Sequence, residues 1–148
     1  MVRKLYEASA NGVPIDLLVR GNCSLMTGIP GLSDTIRING IIDRYLEHSR
    51  IFIFAAGGED KTFIGSADWM PRNLDNRVEV VTPVYDPQIK ADLRKVIEYG
   101  LRDTCQGRIV DGKGNNHSWT TEENVPFRSQ EELYYSYCNT TSDNNKQE

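Results

Sequence analysis

Cysteine and histidine are scarce in this chain of 148 residues, with three of the first and two of the second. Cys23, Cys105 and Cys138 are widely spaced, odd in number and form no Cys-x-x-Cys pair, so neither a zinc site nor a disulfide framework is indicated. No metal-ligand set is read in the chain. No apolar run approaches the roughly 18 residues of a membrane span. The opening "MVRKLYEASANG" lacks the apolar stretch of a secretion signal, so a reduced, cytoplasmic setting is expected. Without such a signal the Asn-x-Ser/Thr triplets at Asn22, Asn116 and Asn139 carry no meaning. "DGKGNN" at 111–116 does not fit the GxxxxGK[ST] phosphate loop, and no Ser-His-Asp or Cys-His order is suggested by spacing.

What the chain has is an ordinary globular composition, 39% apolar and 26% charged, enough for one domain with a real core. The formal charge of −4 is uneven: residues 120–148 carry six acids against two bases, and the remainder is neutral. That balance argues against a nonspecific nucleic-acid binder but leaves room for a local basic pocket that takes an anion.

Residues 3–10 read as the end of a helix stopped by Asn11-Gly12, short enough to suggest a chain cut from something longer. "PIDLLVR" (14–20) reads as a buried strand, and "GNCSLMTGIPGLSD" (21–34) as a loop long enough to suspect function. "IIDRYLEH" (41–48) places Ile41, Ile42, Tyr45 and Leu46 at helical spacing. "RIFIFAA" (50–56) and "KTFIGS" (61–66) read as strands joined by a hairpin turn at "GGED", and "RVEVVTPV" (77–84) as a third. Residues 87–103 form the clearest helix, with Asp86 as cap, Pro87 in the first turn, and Ile89, Leu93, Val96, Ile97 and Leu101 on one face. A strand piece and polar loop follow, then a short helix over "SQEELYYSYCN" with a Ser cap. The order implies an α/β fold, a mixed β-sheet flanked by helices. The expected division is a domain over 1–119, a short helical extension over 120–138, and a disordered tail over 139–148.

His48 is the first candidate for chemistry. An imidazole exchanges protons near neutral pH, and Arg50, two residues on along an extended segment, shares its face and suits phosphate. The competing reading is a helix-end histidine favoured by the helix dipole. Arg20 closes the first strand, where open α/β sheets bind ligands; the alternative is a solvated strand end. In "GSADWMPRNLDNR" (65–77), Gly65 and Ser66 suit close ligand approach, and Arg72 and Arg77 are candidate anion contacts. Asp68, Asp75 and Glu79 are candidates to orient the arginines or hold a metal, although spacing shows neither. Trp69 and Met70 are expected in the core, and His117 in a surface loop.

The blocks "ANGVPIDLLVRGNCSL", "IPGLSDTIRINGIIDRYLEHSRIFIF" and "GSADWMPRNLDNRVEVVTPVYDP" together resemble the C-terminal domain of the long-chain bacterial polyphosphate kinases, over about residues 5–105. That family has the phospholipase D-like fold, with two related α/β domains sharing one site. The superfamily pattern is roughly His-x-Lys, then an acid, then Gly-Ser-x-Asn; here it stands as His48-Ser49-Arg50, with Gly65-Ser66-Ala67-Asp68 later. Arginine for lysine and aspartate for asparagine, at longer spacing, favour a kinase over a lipase or nuclease.

The resemblance implies reversible transfer of the ATP γ-phosphate to polyphosphate through a phosphohistidine, with Mg²⁺. Phosphohistidine and most metal contacts fall in domains outside this chain. It assigns Arg20 to the ATP phosphates and His48 to nucleotide contact and acid or base assistance. Arg50, Arg72 and Arg77 are further phosphate candidates by extension. The implied partners are ATP, ADP, polyphosphate and the remaining domains of a homo-oligomeric parent, cytoplasmic or peripheral at the inner membrane, with no nucleic acid. Two rivals stand: a homodimeric phospholipase D-like phosphodiesterase, and a non-catalytic phosphate-binding module.

Overall fold

A computed structural model describes residues 1–120 and 125–144, with side chains through residue 138. The chain forms two compact units, residues 1–47 with 98–148, and residues 48–97. The architecture is α/β, but the strands divide into two small three-stranded sheets where one mixed sheet was expected.

In the first unit, helix α1 (Val2–Ala10) leads to strand β1 (Ile15–Val19). Strand β2 (Ile36–Ile41) runs parallel to β1 in the register Ile15↔Ile36 to Val19↔Gly40. It is the most buried strand of the chain, yet its segment "IRINGI" lacks a clean apolar run: Asn39 is fully buried in it and donates to the Gly100 carbonyl at 3.0 Å. The core sits here. Leu25, Ile36 and Ile38 are buried under Leu5, Tyr6, Ile15, Leu17 and Val19. Three buried aliphatic side chains contribute on the order of 1.5–3 kcal/mol each. Cys23 packs against the same cluster, while Cys105 and Cys138 are exposed.

The expected helix over 41–48 does not form. Ile41 ends β2, and Ile42, Tyr45 and Leu46 are all exposed, so the helical spacing of apolar residues had no core to face. Side chains take the backbone groups instead: the Arg44 amide donates to Asp43 Oδ1 and the Tyr45 amide to Gln130 Oε1.

In the second unit, β3 (Ile51–Phe54), β4 (Lys61–Gly65) and β5 (Val81–Val84) form an antiparallel meander. The β3–β4 turn passes through Gly57 and Gly58, both at positive φ, which glycine adopts without strain. Strand β5 is shorter than expected; Pro83 lies within it, tolerated because β5 is an edge strand. A four-residue helix, α2 (Pro71–Leu74), was not foreseen. Trp69 and Met70, expected in the core, are each more than a third exposed; Trp69 stacks flat on Phe52, centroids 5.2 Å apart.

Helix α3 (Pro87–Leu101) begins in the second unit and ends in the first. Asp86 caps it, its Oδ1 accepting from the Gln88 and Ile89 amides. Strand β6 (Gly107–Ile109) then pairs antiparallel to β2, making the first sheet mixed. Helix α4 runs Ser129–Asn144, through residues read from sequence as a tail; 121–124 and 145–148 lie outside the described residues.

Between α3 and α4, Asp103 is fully buried. Its Oδ1 accepts the amides of Cys105, Gln106 and Gly107, and its Oδ2 accepts the Ser129 amide and hydroxyl. One carboxylate thus fixes the turn into β6 and the first turn of α4, its desolvation offset by five donors.

Candidate functional site

His48 is not at a helix end: it follows an irregular segment and stands three residues before β3, so the helix-dipole explanation of its presence fails. Its side chain is exposed. Hairpin register explains its company. Ile51 pairs with Ile64, and the Gly65 amide donates to the Arg50 carbonyl at 3.0 Å, so the ladder carries Arg50 opposite Gly65. The chain then turns, and Asp68 reaches Arg50. Arg50 Nε lies 3.1 Å and Nη2 3.0 Å from Asp68 Oδ1. Arg50 Nη1 donates to the His48 carbonyl at 2.8 Å and lies 3.0 Å from Nδ1 and 3.2 Å from Nε2 of the imidazole. Of the three carboxylates considered from sequence, Asp68 is the one paired to a candidate arginine.

Gly65 has a structural reason to be glycine. A Cβ there would lie 3.2 Å from the Val80 carbonyl and 3.4 Å from Phe52. Ser66 joins a network: its hydroxyl donates to Glu79 Oε2 and accepts the Val80 amide, while Asn73 Nδ2 donates to Glu79 Oε1 at 2.8 Å. The Ser66 bond, then the Asn73 bond, and more weakly the charges of Arg77 and Arg50, hold Glu79 below the usual carboxylate range. Arg77 is exposed beside this network and Arg72 is exposed on α2. Asp75 ends α2, its amide donating to the Pro71 carbonyl.

Arg20 belongs to the first unit. It follows β1 directly, is half-buried, and its Nη1 donates to the Glu47 carbonyl at 2.7 Å. The segment 43–47 is fastened from the start of α4 and the residue before it. Arg128 pairs with Asp43 at 2.6 Å, and Gln130 donates to the Tyr45 carbonyl at 2.8 Å and to Glu47 Oε1 at 2.6 Å. Nothing in the local sequence marks these partners, which lie more than eighty residues away. His117 is exposed, as expected.

Among the described residues no three His, Cys, Asp or Glu side chains converge into a group able to hold a metal ion. Among them, too, no helix is long and apolar enough to cross a membrane.

The second unit exposes an imidazole beside an arginine–carboxylate pair and carries two further exposed arginines, and the first unit carries one at a strand end. The profile of the family described as polyphosphate kinase C-terminal domain 2 matches residues 1–130, and the chain belongs to that family. It is 44% identical over 134 residues to the polyphosphate kinase of Escherichia coli K12, covering 90% of this chain and 20% of that protein. It is 54% identical over 106 residues to the polyphosphate kinase of Thermosynechococcus vestitus, covering 72% of this chain and 14% of that protein. The crystal structure of polyphosphate kinase from Porphyromonas gingivalis superposes with a TM-score of 0.89 at 40% identity, covering 96% of this chain and 22% of that one. The chain therefore spans between 14% and 22% of the length of these relatives.

Proposed function

We propose that this chain supplies one side of the catalytic site of an ATP:polyphosphate phosphotransferase, a kinase that moves the ATP γ-phosphate to and from polyphosphate. The covalent step belongs to a histidine in another part of the parent enzyme, of phospholipase D-like type. There the phosphorus–oxygen bond to the β-phosphate breaks as a bond to the imidazole nitrogen forms, and ADP leaves. Phosphoryl transfer asks the protein mainly for positioning and for neutralisation of spreading negative charge.

Arg20 binds phosphate oxygens through its planar fork, and His48 contacts the nucleotide phosphates and gives or takes a proton there. Arg72 and Arg77 add phosphate contacts from exposed positions. Arg50, the remaining candidate phosphate contact, is placed at His48. Mg²⁺, when bound, would neutralise phosphate charge; no cluster among the described residues fits it. The parent is taken to be a cytoplasmic homo-oligomer, peripheral at the inner membrane at most.

The observation that carries this reading is the exposed His48, held by Arg50 at its own carbonyl and ring rather than buried as a core residue. The purified 148-residue chain should form no polyphosphate from ATP. Adding the rest of a related kinase in trans should restore synthesis. Synthesis by the chain alone, or no restoration by a folded complement, contradicts the reading.

A further inference from the structure

Helix α4 faces the wrong way for its composition. Its inward positions hold Ser129, which is buried, and Gln130, Leu133 and Ser136, which are half-buried. Its outward positions hold Tyr134, Tyr135 and Tyr137, all exposed. A helix that packs on its own core turns its apolar stripe inward and its polar face to water. We propose that the outward aromatic face of α4, with the segment it fastens, is the seat for another part of the parent kinase. The inference rests on the reading above for the parent enzyme and adds the surface through which this chain joins it.

The face continues beyond the helix. Gln130 takes both backbone groups of Tyr45, and Tyr134 stands one turn after Gln130 on the same side of α4. The rings of Tyr134 and Tyr135 meet edge to face, centroids 5.6 Å apart. Tyr45 is 63% exposed and Tyr134 65%, and Ile42 and Leu46, in the same segment as Tyr45, are 75% and 73% exposed. A buried aromatic side chain takes about 150–250 Å² out of water, so side chains this open leave an apolar surface on the order of several hundred Å², the size that marks an interaction site. Tyrosine is also a residue type in which interfaces are enriched.

The occupant is another segment of the parent rather than a second copy of this chain. The chain covers between 14% and 22% of its matched relatives, so most of each relative lies outside it. Helix α4 carries Glu131 and Glu132 in its first turn and no basic residue in its last. A two-fold contact would bring two copies of this acidic helix together, whereas a partner with an apolar centre and a basic rim complements it. The seat also has a use within the first unit. Glu47, whose carboxylate accepts from Gln130, gives its carbonyl to Arg20 Nη1. Docking on Tyr45 and Leu46 therefore bears on the backbone that positions Arg20.

Hydroxyl-radical footprinting reads the water access of each tyrosine ring. It is applied to the 148-residue chain and to the Escherichia coli enzyme carrying this chain in place of its matching segment. Tyr45, Tyr134 and Tyr135 should react several-fold more slowly in the chimera than in the chain. Equal rates in a folded chimera overturn the seat. Rates in the isolated chain that rise on dilution also overturn it, and identify a second copy as the occupant. If the chimera does not fold, the same slowing is required when the chain is mixed with the remainder of that enzyme. Tyr134→Ser with Tyr135→Ser should leave the melting temperature of the isolated chain nearly unchanged and lower that of the chimera by several degrees, while the corresponding phenylalanine pair should not. An equal shift in both proteins contradicts the seat. Polyphosphate formation is read separately. Shielded tyrosines in a chimera that makes no polyphosphate support the seat and count against the functional reading; an active chimera with unshielded tyrosines does the reverse.

Discussion

Gln130 grips Tyr45 by both of its backbone groups, accepting the amide at 3.0 Å and donating to the carbonyl at 2.8 Å. Its second N–H reaches Glu47 Oε1 at 2.6 Å. A side chain 85 residues away thus does for this segment what helical hydrogen bonds would have done, and the segment ends at the residue before His48. Gln130→Ala should cost about 0.5–1.5 kcal/mol of stability, the net worth of a typical hydrogen bond, because water can reach the freed Tyr45 groups. Urea unfolding measures it, and Gln130→Glu, which sets a carboxylate oxygen against the Tyr45 carbonyl and Glu47 Oε1, should be no milder than Gln130→Ala.

Asp103 should tolerate no amide. In Asp103→Asn either orientation of the new side chain aims an N–H at backbone donors, the three amides at Oδ1 or the Ser129 amide at Oδ2. A loss of roughly 2–4 kcal/mol is expected from removing charge-assisted bonds and creating unsatisfied donors. Chemical denaturation tests it, and an Asp103→Asn chain as stable as the parent would show that the carboxylate is dispensable.

The Arg128–Asp43 pair should make stability depend on pH in one direction. The hydrogen bond from Arg128 holds the Asp43 carboxyl below its usual value. A depressed folded-state value contributes stability above the unfolded carboxylate range and loses it as pH falls through the folded value. Arg128→Met should therefore destabilise the chain most near neutral pH, and the gap to wild type should shrink below about pH 4, the range of unperturbed Asp. Unfolding curves at pH 7 and pH 3 measure the two gaps; equal gaps would contradict the assignment.

Two glycines should respond differently to alanine. A Cβ at Gly107 would lie 2.1 Å from the Asp103 carbonyl oxygen, which is backbone and cannot move aside. A Cβ at Gly100 would lie 2.5 Å from Leu18 Cδ1, the end of a side chain that can rotate. Overpacking costs typically about 1–3 kcal/mol, so Gly107→Ala should sit at or beyond the top of that range and Gly100→Ala lower within it. Thermal unfolding of the two variants ranks them.

Much of the fold was legible where a local rule decided. The Asp86-Pro87 cap and apolar stripe marked α3, and paired glycines between two β-rich runs marked the β3–β4 hairpin. The failures share a cause in distant contacts. Strand β2 hides a fully buried Asn39, satisfied in part by Gly100 sixty-one residues away, so its pattern does not read as a core strand. Residues 41–48 have helical spacing, but Gln130 takes both backbone groups of Tyr45 and Arg128 holds the Asp43 carboxylate. His48, Arg50 and Asp68 were each visible as chemical candidates. Their contact was not, because hairpin register and the turn after Gly65 bring them together.

The most direct measurement replaces the matching fifth of the Escherichia coli enzyme with this chain and follows polyphosphate formation from ATP. The chimera should be active. His48→Ala and Arg20→Ala should each lower kcat by roughly 10²-fold or more, the scale of losing a positioned acid–base group or an electrostatic contact to the transferring phosphoryl group. A His48→Ala chimera as active as the unaltered one would contradict the central claim, and would leave His48 as an exposed residue with no part in the reaction.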